Sequence, residues 1–87
     1  MPSVTFDGQS ISVKGRRVWL SAFEFHYALI PQARWGKRLR AIRHGGFNAV
    51  VLPCPWSMHE SRAGRFAFDG QLAVRDLITR CAEMGLW

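Results

Sequence analysis

Two segments of helical periodicity, one on each side of the apolar run "FNAVVLP" (residues 47–53), constrain this chain more than anything else in it. The run has strand length and almost no polar interruption, the pattern of a strand buried on both faces of a parallel sheet. The first helical segment opens at Pro31, whose missing N–H costs nothing at a first helical position. It runs to about His44, where Gly45-Gly46 supply the positive φ of a C-cap. In the second, residues 71–84, the apolar side chains Leu72, Val74, Leu77, Ile78 and Cys81 recur at helical spacing, and Gly85 closes it. Residues 18–25, "VWLSAFEF", predict a longer strand ahead of the first helix. The order is β–α–β–α, which calls for a parallel sheet with crossover helices.

Ahead of these units "VTFDGQSISV" reads as two short strands around the turn dipeptide Asp7-Gly8, and "KGRR" makes a second turn. Gly64 and Gly70 punctuate a long loop that carries the short extended piece "RFAF", and the final "LW" begins a further element. A doubly wound sheet and a β/α barrel both start in this way. A barrel takes about 250 residues, so the expected fold class is α/β, a partial (β/α)8 TIM barrel: the first two βα units preceded by a short β-hairpin. Residues 1–87 are then expected to be the amino-terminal fragment of such a domain.

Several function classes drop out on composition. No run approaches the roughly 20 apolar residues of a membrane helix, so no membrane partner is expected. The start "MPSVTFDGQS" lacks the basic and apolar regions of a secretory signal, which points to the cytoplasm. Cys54 and Cys81 have no CxxC spacing and read as small buried or half-buried thiols. His26, His44 and His59 show no zinc spacing, so no metal is expected and no cofactor is called for. The net charge of +6 is concentrated at Arg34, Lys37, Arg38, Arg40 and Arg43, opposite Trp35, Leu39 and Ile42. That is the outer face of an amphipathic helix. A small basic nucleic-acid-binding protein is the alternative it leaves open, with binding that would weaken steeply in salt.

In parallel α/β folds ligand-handling residues gather at the carboxyl ends of strands. One such end carries "FEFHYALIP", where alternation sets Glu24 and His26 on one side and Phe23, Phe25 and Tyr27 on the other. The next carries "PCPWSMHE". Aromatic rings beside acids suit sugars, since a flat apolar ring face stacks on tryptophan while carboxylates take the hydroxyls.

"EFHYALIPQARW", then "GGFNAVVLPCPWSMHE", then "GRFAFDG" resemble, in order and spacing, the amino-terminal part of glycoside hydrolase family 35, the β-galactosidases. Matched positions include His26, Tyr27, Pro31, Trp35, Gly46, Asn48, Pro55, Trp56, His59, Glu60, Gly64, Phe66 and Phe68. The sequence departs from the family pattern at Leu29 (arginine), Pro53 (a galactose-contacting tyrosine), Ser57 (asparagine), Ser61 (proline), and Gln71 and Ala73 (aspartates). The resemblance implies a divergent member whose complete enzyme hydrolyses terminal β-galactosides, or related sugars, by a retaining two-carboxylate mechanism.

It also implies that the catalytic glutamates come from the fourth and seventh barrel strands, so no catalytic residue is expected in this chain. Trp56 is then the candidate for stacking on a sugar, and Ser57 stands where the family has an amide. Glu60 either anchors its own loop or approaches the sugar. Glu24 sits at the top of the barrel interior, and His26 faces the pocket or holds the first βα loop. Tyr27 and Trp35 are read as packing residues. A truncated, non-functional product with open strand edges is a further alternative.

Overall fold

The computed structural model describes residues 3–87, so Met1 and Pro2, the start of the domain expected over 1–87, lie outside the described residues. The described residues are mixed α/β with three small sheets. Strands β1 (Val4–Phe6), β2 (Ile11–Val13) and β3 (Arg16–Val18) form an antiparallel meander, with Val4 opposite Val13 and Ile11 opposite Val18. Its first turn is held by Asp7, whose Oδ1 accepts the N–H groups of Gln9 (2.7 Å) and Ser10 (2.9 Å). Lys14 and Gly15 take positive φ (52° and 78°), as a two-residue turn matched to strand twist demands.

The longer strand expected over residues 18–25 is broken. Val18 ends β3, and β4 (Ala22–Glu24) begins a separate sheet, pairing parallel with β5 (Ala49–Val51). The cause is Asn48. Its amide donates to the Trp19 carbonyl (2.7 Å) and its Oδ1 accepts the Ser21 N–H (2.9 Å), while its own N–H donates to Ser21 O (3.0 Å). One side chain thus satisfies the backbone where the chain leaves one sheet for the other. At the other edge of β5, Trp87 N–H donates to Asn48 O (2.9 Å) and Val50 N–H to Trp87 O (2.7 Å). Those are the two bonds that a parallel neighbour makes around one residue.

Helix α1 (Trp35–His44) follows a 3₁₀ turn at Gln32–Arg34, so Pro31 stands one step before the helical winding begins. Helix α3 (Val74–Glu83) likewise starts later than expected, after a 3₁₀ turn at Gly70–Leu72. Both helices stop by one device. After α1, Phe47 N–H reaches back to Ile42 O and Gly46 N–H to Arg43 O; after α3, Leu86 reaches Cys81 and Gly85 reaches Ala82. Gly46 (φ 98°) and Gly85 (φ 71°) hold the left-handed position on which this double bond depends.

The core lies between the two helices and one face of the parallel pair. Trp35, Leu39 and Ile42 of α1 meet Leu77 and Cys81 of α3, Leu86, and Phe25, with Val50 and Leu52 packed alongside. The Trp35 indole donates to Ile30 O (3.0 Å) and Tyr27 O (3.3 Å), fixing the loop before α1. The cationic side chains of α1 point outward, as its periodicity predicts.

The strand at residues 47–53 is covered along one face, and on the other only at Ala49, instead of along both. Val51 is 49% exposed and Ala22 and Glu24 are exposed with it, because both helices pack on the opposite face. Ile78, expected within the buried stripe of α3, is 56% exposed. Phe6 and Trp19 stand almost wholly in solvent. Among the described residues no helix is long and apolar enough to cross a membrane.

Candidate functional site

Both parallel strands run out on the same side of the chain, and each delivers a polar pair there. At the end of β4, Glu24 Oε2 lies 3.3 Å from His26 Nε2, with both side chains more than half exposed. The Phe25 N–H donating to Val51 O (2.9 Å) carries the pairing to this point. The first loop then winds into a 3₁₀ turn, Tyr27–Leu29, that buries Tyr27 and Ala28 and leaves Leu29 exposed.

Beyond β5 the prolines deliver the chain into a single turn of helix, α2 (Trp56–His59), where an open loop was expected. It leads directly into β6 (Glu60–Arg62), which pairs with β7 (Arg65–Phe66), the observed form of the extended piece "RFAF". Glu60 holds this excursion at both ends. Its Oε1 accepts the Trp56 indole N–H (3.0 Å) and its Oε2 accepts the Gly64 N–H (2.9 Å). Glu60 is therefore geometrically a loop anchor, and through the indole it sets the plane of Trp56. That ring is 51% exposed and rests against His59, Phe66 and Phe68, with centroids 5.7, 6.2 and 6.2 Å away. Ser57 is exposed, and its hydroxyl makes no hydrogen bond among the described residues.

The two strand ends meet through Tyr27 and His59, a pair with no functional role among the expectations above. His59 is fully buried; its Nε2 lies 2.7 Å from the Tyr27 hydroxyl and its Nδ1 2.8 Å from Ala67 O. A carbonyl can only accept, so Nδ1 carries the proton and Nε2 accepts from the phenol. The imidazole also stacks on Phe68 at 4.7 Å. Burial, and then the neighbouring Cys54 thiol, push Tyr27 up to about 12, keeping the phenol a donor throughout the neutral range. Tyr27 and His59 are 32 residues apart, so no local pattern announces the contact. The one signal was a histidine among aromatic residues.

Cys54 is exposed, contrary to the reading of both cysteines as buried or half-buried, because it sits on the loop between two prolines; Cys81 is buried and both are free. Burial raises the Cys81 thiol above its ordinary value. Between the two strand ends lies a cavity of about 220 Å³ lined by His26, Leu29, Pro53, Cys54 and Met58. The structure thus joins Glu24 with His26 and Trp56 with Glu60, and links the two pairs through Tyr27 and His59. Ser57 stays apart from both. Among the described residues no group of three His, Cys, Asp or Glu side chains could hold a metal ion.

The same stretches match known proteins. Residues 10–87 match the family described as Glycosyl hydrolases family 35. "Beta-galactosidase-1-like protein 3" of Homo sapiens is 33% identical over 76 residues, covering 87% of this chain and 12% of that protein. "Probable beta-galactosidase C" of Neosartorya fischeri is 36% identical over 86 residues, covering 97% of this chain and 9% of that protein. The chain thus spans about a tenth of the length of these curated relatives. The match runs from the meander through both helices to the two strand ends with their paired polar side chains, and the chain belongs to glycosyl hydrolases family 35.

Proposed function

We propose that residues 1–87 are the first two βα units of a (β/α)8 barrel in a retaining, β-galactosidase-like hydrolase, and that they build one wall of its sugar pocket. The observation that carries this is the exposed face of the parallel pair. Glu24 and Val51 lie uncovered on it, the functional side chains stand at its carboxyl end, and Trp87 already bonds to the free edge of β5. Such a face is the interior of a barrel awaiting further strands. The names of the relatives support β-galactosides as substrates.

Trp56 stacks on the apolar face of a sugar ring, its plane held by Glu60 from below. An indole locked by a hydrogen bond loses little freedom on binding, so more of the stacking energy survives. Glu24 and His26 accept and donate to sugar hydroxyls from the neighbouring strand end, and the Ser57 hydroxyl is free to do the same. The two reacting carboxyl groups, about 5–5.5 Å apart in a retaining enzyme, come from strands outside residues 1–87. Glu60 cannot serve as one of them while both its oxygens hold the loop. Neither the protonation nor the attack needs a cofactor, since the two carboxyls perform both.

The test is hydrolysis of an aryl β-galactoside by the complete polypeptide that carries these residues, with Trp56→Ala beside it. We expect hydrolysis with retained configuration, and a kcat/KM about tenfold or more lower in the variant. Absence of hydrolysis on β-galactosides, or a variant with unchanged kcat/KM, overturns the assignment.

A further inference from the structure

Helix α1 carries a cationic surface that no acidic side chain among the described residues pairs, although Arg43 donates to Phe47 O (3.2 Å). Between Glu24 and Glu60 the chain has no acidic residue, yet Arg34, Lys37, Arg38, Arg40 and Arg43 all fall there and all are exposed. Among the described residues none of the five makes an ion pair; the three pairs present are Arg17–Asp7, His26–Glu24 and Arg80–Asp76. The acid that α3 presents toward α1 is Asp76, and it is occupied by Arg80 and by the Gln32 amide.

Helix stability does not explain this arrangement. Cations favour the last turn of a helix, where Arg43 and His44 stand, and disfavour the first, where Arg34 and Lys37 stand with no acidic residue to offset them. Arg34, Lys37 and Arg38, at spacings of three and four, lie on one stripe with Ala41 and line a shallow groove of about 500 Å³. A small side chain at the fourth position leaves the floor open, and charges flank it.

We propose that this groove binds an acidic polysaccharide, a polymer bearing regularly spaced carboxylates, and so holds the enzyme on a polyanionic glycan. Charge complementarity sets the sign of the partner. The choice of a glycan rests on the family's action on carbohydrate, and it fits the absence of aromatic side chains lining the groove, on which unstacked bases would sit. Duplex nucleic acid, which offers phosphates without needing such a platform, is the competitor that the experiment must separate.

The complete polypeptide is run in native gels containing polygalacturonate, neutral galactan or duplex DNA. Alongside it run Arg34→Gln/Lys37→Gln/Arg38→Gln and a control of equal charge, Lys14→Gln/Arg16→Gln/Arg75→Gln, both checked for folding by circular dichroism. Glutamine keeps the helix propensity of the residues it replaces. Polygalacturonate is expected to retard the wild type, high salt to abolish the effect, and the α1 triple to weaken binding roughly tenfold or more while the control stays within about twofold.

Equal loss in both triples would reduce the effect to net charge and overturn the proposal. So would unchanged mobility in polygalacturonate, or stronger retardation by DNA. Hydrolysis of a small aryl galactoside, measured on the same samples, separates the two readings. Its loss with retardation intact counts against the sugar pocket alone, and the converse counts against the groove alone.

Discussion

Tyr27→Phe removes one oxygen atom from the contact that ties the two strand ends together, and the consequence follows from the geometry. The phenol is fully buried and donates at 2.7 Å to His59 Nε2, which is equally buried. Phenylalanine fills the same ring space and keeps the edge-on packing against Trp35, 6.4 Å between centroids. What remains is an imidazole lone pair with no donor, a loss of about 1–3 kcal/mol when a buried acceptor is left alone. His59→Leu leaves the phenol without its acceptor and the Ala67 carbonyl without its donor, at a cost of similar or greater size. The double variant removes both members of the pair, so its cost should fall short of the sum by at least about 1 kcal/mol.

Urea unfolding of the complete polypeptide and its three variants measures this cycle. A cycle that closes within about 0.3 kcal/mol would show that the contact carries no coupling and that the two loops are held by packing alone. The same phenol sets an alkaline limit. Its folded value is raised to about 12 from an ordinary 10, so between those values the unfolded chain has lost the proton that the folded chain keeps. This contribution is intact below the ordinary value and fades as pH rises through the window. Tyr27→Phe should lack that fall.

Asn48→Ala deletes the two side-chain bonds at the junction of the sheets and should cost about 2 kcal/mol, at roughly 1 kcal/mol per bond, read by urea midpoint at unchanged slope. Glu60→Gln keeps one acceptor but turns an amide donor toward either the Trp56 indole or the Gly64 N–H. Tryptophan fluorescence should report a looser indole at this position, and an unchanged spectrum and midpoint would remove Glu60 as anchor. The Asp76 carboxyl is held below its usual range by Arg80 first and by Gln32 second. Its contribution is present above the ordinary carboxylate value and disappears as pH falls through the lowered one, so Asp76→Asn should flatten that part of the acid limb of a pH–stability curve.

What could be read from the sequence was what depends on neighbours in the chain. Gly46 and Gly85 mark helix ends because only a left-handed residue closes the last turn, and Asp7-Gly8 marks a turn because a short acceptor can cap its own backbone. The buried stripe of α1 follows from spacing alone. The misses came from partners far along the chain. Residues 18–25 have the composition of one strand, and Asn48, 27 residues beyond Ser21, divides them. His59 has no side-chain hydrogen-bond partner within its own segment, because Tyr27 arrives from the neighbouring strand end, 32 residues away. Ile78 fits the apolar period of α3 yet lies outside the contact that α1 and the sheet make with it. At the site, the motif matching singled out Trp56 and Glu60 singly; that the acid orients the ring is a property of a four-residue helical turn absent from the sequence reading.

The proposed function has this chain shape a sugar pocket whose reacting carboxyls lie outside residues 1–87, and mass spectrometry of the native polypeptide tests that proposal. Peptides that continue past Trp87 into further strand–helix units bearing two glutamates at strand ends are the expected result. A native polypeptide that ends at Trp87 would contradict it.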